Sequence, residues 1–373
     1  MRPSAAVVGA FHTPYRRRVD DQSLEEMVFS AVKGALADAH LEIGDIDAVI
    51  LSTYDQASGR VIESMVTNGP AGGVDRDVTT LASAGEHALC YGHMRILAGQ
   101  SKSVLVVVWS KESESLDLNH VNLLEAEPFL MRPLGIRSVV AAGLQASDYS
   151  TRYGYTEEAA TSVRAARAKA AELAHDLPAG YFSLDIDSSM AAWPLTRADL
   201  PQSCDMAAAV VMRSADCVTE DQVPAWITGM GWSTEGYELA DRDLCSLDSM
   251  KQAVAMTVEG RSIDQYDVIE VTENSVVAAF IAAEALGLAP VGKAGTDGVS
   301  TTATVNPSGG NLCVNPGNAA GFLRLMAAAQ QVRGQAHGVQ LEPTPKSAVG
   351  VSSYGFADQA SAAMAFSSHR DGV

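Results

Sequence analysis

Short apolar runs rich in Val, Ile and Ala alternate along this chain with segments whose apolar residues recur at helical spacing. The strand-like runs fall at Ala5–Ala10, Ala48–Thr53, Ser103–Trp109 and Ala207–Met212, and again at Ala225–Gly231, Val268–Thr272 and Ser347–Ser352. They are apolar almost throughout rather than alternating with polar residues. That pattern predicts strands buried on both faces, in sheets covered by helices, and so an α/β fold.

Two segments follow one plan. Ser23-Leu24-Glu25-Glu26-Met27 opens a helical pattern that ends at Gly44-Asp45-Ile46-Asp47 and runs into Ala48-Val49-Ile50-Leu51-Ser52. Ser246-Leu247-Asp248-Ser249-Met250 opens a similar pattern that ends at Asp264-Gln265-Tyr266-Asp267 and runs into Val268-Ile269-Glu270-Val271-Thr272. A repeat this long predicts a duplicated α/β half rather than a solenoid. The halves are placed at residues 1–215 and 222–373, with an insertion at about 111–194 expected to lie over the first half. Within it a helix is predicted from Thr156, an N-cap type, through Glu157 and Glu158 to Ala171.

Composition narrows the function. A chain of 373 residues suits two packed core units, and 47% hydrophobic with 19% charged residues describes a folded globular protein. A net charge of −19 argues against nucleic acid, which demands clustered Lys and Arg. Cys90, Cys204, Cys217, Cys245 and Cys313 are scattered without C-x-x-C spacing; this predicts neither a disulfide framework nor a metal site, and fits a reducing cytoplasm. The basic trio Arg16-Arg17-Arg18 follows the first apolar run, the reverse of a signal peptide. No apolar run approaches the ~20 residues of a membrane helix, so no membrane partner is expected.

Four short elements bear on chemistry. Asn306-Pro307-Ser308-Gly309-Gly310, Val314-Asn315-Pro316 and Ala319-Ala320-Gly321 are similar to the thiolase motif N-x-S-G-G…G-H-P-x-G-A-x-G, with asparagine at its histidine and one residue missing between Gly310 and Val314. Val78 to Lys111 resembles the thiolase nucleophile region: strand, C-x-S-G, helix, I-x-x-G, strand. Matching Ile96-Leu97-Ala98-Gly99 puts Ala82-Ser83-Ala84-Gly85 on C-x-S-G. Glu270-Val271-Thr272-Glu273-Asn274 stands where relatives carry N-E-A-F or H-D-x-F. Val351-Ser352-Ser353-Tyr354-Gly355-Phe356-Ala357 stands at C-x-G-G-G, with Ser352 or Ser353 for the second cysteine. Ser188-Ser189-Met190, Pro194-Leu195 and Ser203 to Val210 resemble the run P-L…D-G-A-A-A-V of the lipid-transfer branch.

The chain thus resembles the thiolase superfamily, nearest the lipid-transfer branch that works with DUF35 zinc-ribbon/OB-fold proteins. The resemblance implies a five-layered αβαβα fold and a degenerate catalytic set at Ala82, Thr272, Asn315 and Ser353. A thiolase needs a thiolate at a helix N-terminus and a histidine titrating near neutrality; alanine cannot attack and asparagine cannot titrate. Cys90, two turns further along, reads as packing.

The leading expectation is a non-catalytic subunit of a heteromeric acyl-CoA thiolase or acyltransferase complex, paired with an active thiolase-like paralogue and a DUF35 protein. Dimerisation through the strand Ser103–Trp109 is implied. The alternative is a cysteine-independent acyl-CoA aldolase or lyase, with Ser83, His87, Glu273 and Tyr354 as candidates. A tyrosine of lowered pKa or a glutamate of raised pKa would be its base. Arg132, Arg137, Arg164 and Arg167 lie where thiolases bind coenzyme A, whose thioester is the expected substrate. Neither a metal nor a covalent cofactor is expected.

Overall fold

Ser23 starts the first helix with a capping box: its hydroxyl accepts from the Glu26 N–H at 3.2 Å, and the Glu26 carboxylate accepts from the Ser23 N–H at 2.7 Å. The computed structural model describes residues 4–57, 59–60, 62–174, 188–299 and 301–370. Its first half runs β1 (Ala5–His12), α1 (Leu24–Asp38), β2 (Ala48–Ser52), α2 (Glu63–Thr67), β3 (Asp77–Leu81), α3 (Gly85–Leu97) and β4 (Ser103–Ser110). An excursion follows, with α4 (Leu118–Leu124), α5 (Ser138–Arg152), α6 (Glu157–Ala174), β5 (Met190–Ala192) and β6 (Leu195–Thr196). The chain then returns as β7 (Met206–Ser214). The second half runs β8 (Ala225–Thr234), α7 (Asp248–Val258), β9 (Val268–Val271), α8 (Val276–Ala285), α9 (Ala294–Asp297), β10 (Thr304–Val305), α10 (Ala320–Arg333), β11 (Ser347–Tyr354) and β12 (Ala360–Ser367).

The duplication is visible in strand order. The ten strands run β10-β9-β11-β12-β8-β1-β7-β4-β2-β3. Read outward in, both halves have three parallel strands followed by two antiparallel ones: β3-β2-β4-β7-β1 and β10-β9-β11-β12-β8. They meet at Ala6↔Trp226 and Val7↔Ala225.

Side-chain alternation makes the layers. Val49, Leu51, Leu105, Val107 and Trp109 face α1, whereas Ile50, Val104, Val106 and Val108 face a middle layer formed by α3 and α10. In the second half Ile269, Val271, Val349 and Val351 face α7 and α8, while Val268, Ala348, Met364 and Phe366 face the middle layer. Each large aliphatic side chain so buried contributes about 1.5–3 kcal/mol. The order is therefore helix, sheet, helix, sheet, helix, as the resemblance implies.

Four details depart from the sequence expectations. The second helix lacks the capping box of the first: it starts at Asp248, after Leu247 in the left-handed region (φ 47°), with no side-chain cap. The excursion packs over the second half, not the first. Its α5 and α6 lie on α8, where the Tyr149 hydroxyl donates to Glu284 at 2.6 Å and the Phe280 ring meets those of Tyr149 and Tyr155. The predicted cap holds there, with the Ala159 N–H donating to the Thr156 hydroxyl at 3.1 Å.

β4, the expected dimer strand, has no free edge. It pairs with β2 on one side and β7 on the other, and the open edge of the first half is β3. Finally, β12 was not anticipated, because its sequence ASAAMAFS is dominated by small residues of low strand propensity.

Candidate active site

At the start of α3 the two halves are in close contact. Gly85 at its first position sits so near α10 that an added Cβ would lie 2.9 Å from Phe322 Cβ and 3.0 Å from Val108 Cγ2. Gly321 makes the reciprocal approach, where a Cβ would lie 2.6 Å from Ser352 Cβ and overlap the Glu86 carboxylate. Two glycines thus bring the start of α3, the start of α10 and the end of β11 into one place. The loop before α3 is pinned by the Ser52 hydroxyl, which donates to the Ser83 carbonyl at 2.8 Å.

Four polar side chains meet there. Ser83 Oγ and His87 Nδ1 are 2.9 Å apart, and the His87 ring meets Tyr354 edge-on with centroids 5.1 Å apart. The Ser83 hydroxyl lies beside the Tyr354 phenol, which also feels the charge of the Glu86 carboxylate. Glu86 is 1% exposed, and neither of its oxygens has a hydrogen-bond partner. Its nearest hydroxyl, that of Ser352, is spent on Ala362, donating to the carbonyl at 3.2 Å and accepting from the N–H at 3.3 Å. Ala82 is exposed, so the position stands open rather than filled by bulkier neighbours.

Burial sets the protonation states. Desolvation pushes the Glu86 carboxyl up to about 7, against a smaller downward pull from its own N–H and Ser352. Desolvation lowers the His87 pKa, so the imidazole is neutral at pH 7. The Tyr354 phenol is raised by burial and by the Glu86 charge, partly offset by Ser83. The sequence reading calls for a tyrosine of lowered pKa; the environment does the opposite, and the carboxyl that burial raises beside it is Glu86. Glu86 was missed, although its spacing to Cys90 and His93 places all three on one face of α3, and that face is buried. Cys90 itself is buried beside Glu86, its thiol pushed up to about 12 by desolvation.

The other expected positions have different neighbours. Thr272 and Ser353 are buried with their hydroxyls 3.0 Å apart, and the Ser353 N–H donates to Thr272 Oγ1 at 2.6 Å. Ser353 has an acidic neighbour. Its hydroxyl donates to Asp358 at 2.8 Å, and Asn274 donates to the same carboxylate at 2.6 Å. Asp358 is buried and its pKa raised by desolvation. Glu273 is held at 2.6 Å on both oxygens by Arg167 of α6, and its N–H donates to Asn311. Asn315 lies in a bridge with Ser203; its backbone bonds to Gln202 and Cys204, and its buried Oδ1 has no partner.

The four arginines are all engaged within the chain. Arg164 pairs with Glu157 and Asp199, and Arg167 with Glu273. Arg132 donates to the carbonyls of Leu124 and Ala126, and Arg137 to Asn119. Among the described residues, one trio has metal-ligand types within reach of one another: Asp148, Asp243 and Cys245. Arg152 already bridges the two carboxylates at 2.8 Å each, so its guanidinium supplies the charge a cation would bring. No described helix is long and apolar enough to cross a membrane.

The structure is thus a doubled sheet enclosing two helices, with a polar cluster where they touch. The chain matches no family model. It is 24% identical over 359 residues to acetyl-CoA acetyltransferase of Methanothermobacter thermautotrophicus, covering 90% of this chain and 93% of that one. It is 31% identical over 178 residues to benzoylsuccinyl-CoA thiolase subunit BbsB of Thauera aromatica, covering 44% and 46%. Among solved structures it resembles the Ltp2-ChsH2(DUF35) aldolase with a TM-score of 0.78 at 18% identity, covering 98% of each chain. Acetyl-CoA acetyltransferase from Syntrophomonas wolfei follows at 0.71 and 15% identity, covering 99% and 100%. Human mitochondrial 3-ketoacyl-CoA thiolase gives 0.69 at 14% identity, covering 98% and 99%. The chain has a thiolase-like fold and is similar in sequence to thiolases.

Proposed function

We propose that this chain is a cysteine-independent acyl-CoA aldolase or lyase, acting on a β-hydroxyacyl-CoA with Tyr354 and Glu86 as its proton-handling pair. The observation that carries the reading is the convergence of Ser83, Glu86, His87 and Tyr354 beside Ala82. The fold likeness to an aldolase whose name includes a DUF35 component supports it, and supports a DUF35-type partner here.

Cleavage of an aldol adduct needs no covalent intermediate. The β-hydroxyl proton passes to the Tyr354 oxygen as the phenol proton passes through a bridging water to ionised Glu86, to which Tyr354 has no direct hydrogen bond. The O–H electrons form the new carbonyl and the Cα–Cβ bond breaks. Its electron pair becomes the thioester enolate. Return of the same proton to Cα yields a shorter acyl-CoA plus an aldehyde or ketone, with no net proton change. A relay of this kind needs the acceptor near neutrality, the range in which Glu86 titrates, rather than a phenol of low pKa.

The test incubates the purified chain, alone and with any partner that co-purifies, with β-hydroxyacyl-CoA adducts of different chain length, quantifying CoA thioesters by chromatography. Equal release of carbonyl compound and shorter thioester is expected, with Tyr354→Phe lowering kcat by about 10²-fold or more. No cleavage of any adduct by the chain with its native partner would refute it.

A second reading is favoured by Ala82, Thr272 and Asn315, none of which can act as nucleophile or titrating base at neutral pH. On it the chain is a non-catalytic subunit beside an active thiolase-like paralogue, in which CoA chemistry depends on the partner's cysteine. Pairing in that case would use the free edge of β3. Co-purification from the native host, followed by loss of all activity on mutating the paralogue's cysteine, distinguishes this reading from the first.

A further inference from the structure

We propose that Ser83 and His87 form a nucleophile–base pair that accepts the acyl group of a CoA thioester onto the Ser83 oxygen. This activity is separate from carbon–carbon cleavage and stands on its own geometry. Ser83 Oγ and His87 Nδ1 are 2.9 Å apart, within the distance over which an alcohol hands its proton to a base as it attacks. Both residues are held. The Ser83 carbonyl is fixed by Ser52, the His87 N–H bonds the Ala84 carbonyl at 3.1 Å, and the imidazole is braced edge-on by Tyr354. Ser83 is part-exposed and follows the exposed Ala82, so its hydroxyl is reached from the same opening.

The surroundings suit the developing charge. α3 is 13 residues long and its N-cap, Ala84, contributes no capping side chain, so the partial positive charge of the helix start lies next to Ser83, shared with the Glu86 carboxyl of the first turn. Burial keeps His87 neutral at pH 7, the form that accepts a proton. The step balances within the named groups. Ser83 Oγ bonds the thioester carbonyl carbon as its proton moves to His87. The C–S bond then breaks, and His87 returns the proton to the coenzyme A sulfur. Water, activated by the same imidazole, releases the free acid; an alcohol or thiol in place of water would carry the acyl group away.

The experiment uses the full chain with a fluorophosphonate probe, reading intact mass and mapping the modified peptide, with [¹⁴C]acetyl-CoA as a second acylating agent. Both are expected to modify Ser83. Ser83→Ala should abolish modification, and His87→Gln should slow it by about 10²-fold or more. If His87→Gln does not fold, the wild-type pH profile decides: labelling should rise as His87 loses its proton, with a midpoint below the ordinary 6.5, and be level by neutrality. No adduct on Ser83, an adduct formed equally fast in His87→Gln, or a rate flat across that pH range would overturn the proposal.

Discussion

Replacing Glu86 by Gln should make the protein more stable at alkaline pH while impairing its chemistry, and the size of the gain follows from the burial of the carboxyl. Its pKa rises from 4.5 in an exposed chain to about 7 in the fold because burial penalises the charged form. Below pH 4.5 the folded and unfolded states both hold the proton, so no penalty exists. Between 4.5 and about 7 the unfolded chain releases a proton that the fold retains, and stability falls by about 1.4 kcal/mol per pH unit. Above 7 the loss is constant, at about 3 kcal/mol. Glutamine keeps the shape and cannot ionise. Urea unfolding of both proteins should therefore give midpoints separated by under about 1 kcal/mol at pH 5, widening to about 3 kcal/mol in favour of the variant at pH 8. A pH-independent difference, or a variant less stable at pH 8, would refute the reasoning. It would mean that the carboxylate has a compensating partner in the native state.

Other substitutions test the frame around the site. Gly321→Ala should destabilise by about 1–3 kcal/mol, because its Cβ would meet Ser352 and the Glu86 carboxylate; Glu86→Ala should relieve part of that cost in a double mutant, read from urea midpoints. Arg167→Met should cost about 3–5 kcal/mol, since it strands the buried Glu273, and adding Glu273→Leu should recover most of it. An additive double mutant would show that the pair is not coupled. Thr80→Pro removes an N–H that faces away from β2. It should weaken self-association by sedimentation while leaving the circular dichroism spectrum unchanged; an unaltered association constant would show that the β3 edge is not the contact.

What could be read from the sequence is what depends on period. Val49, Leu51 and Leu105 and their neighbours are apolar on both faces because each strand lies between helical layers, and that pattern survives in one dimension. Strand order does not, which is why β4 was taken for an edge: the antiparallel return of β7, after an excursion of nearly a hundred residues, covers the side that sequence reasoning left open. The arginines of α6 read as coenzyme A ligands because their partners, Asp199 and Glu273, lie far along the chain. β12 failed for the converse reason, its small residues being suited to the tight middle of a doubled sheet rather than to any strand signal.

The site was legible in part for the same physical reason. Ser83, His87 and Tyr354 are polar groups flanking recognisable turns, so they could be named. Glu86 could not be, because an unpaired carboxyl becomes an acid–base group only once desolvated, and its desolvation comes from Gly321 and Ser352 of the other half. Tyr354 ends β11 and Glu86 opens α3, so the pair exists only when the two halves are packed. What the duplication supplies is a dry junction beside a helix start, where burial favours the uncharged form of Glu86, His87, Cys90 and Tyr354 alike.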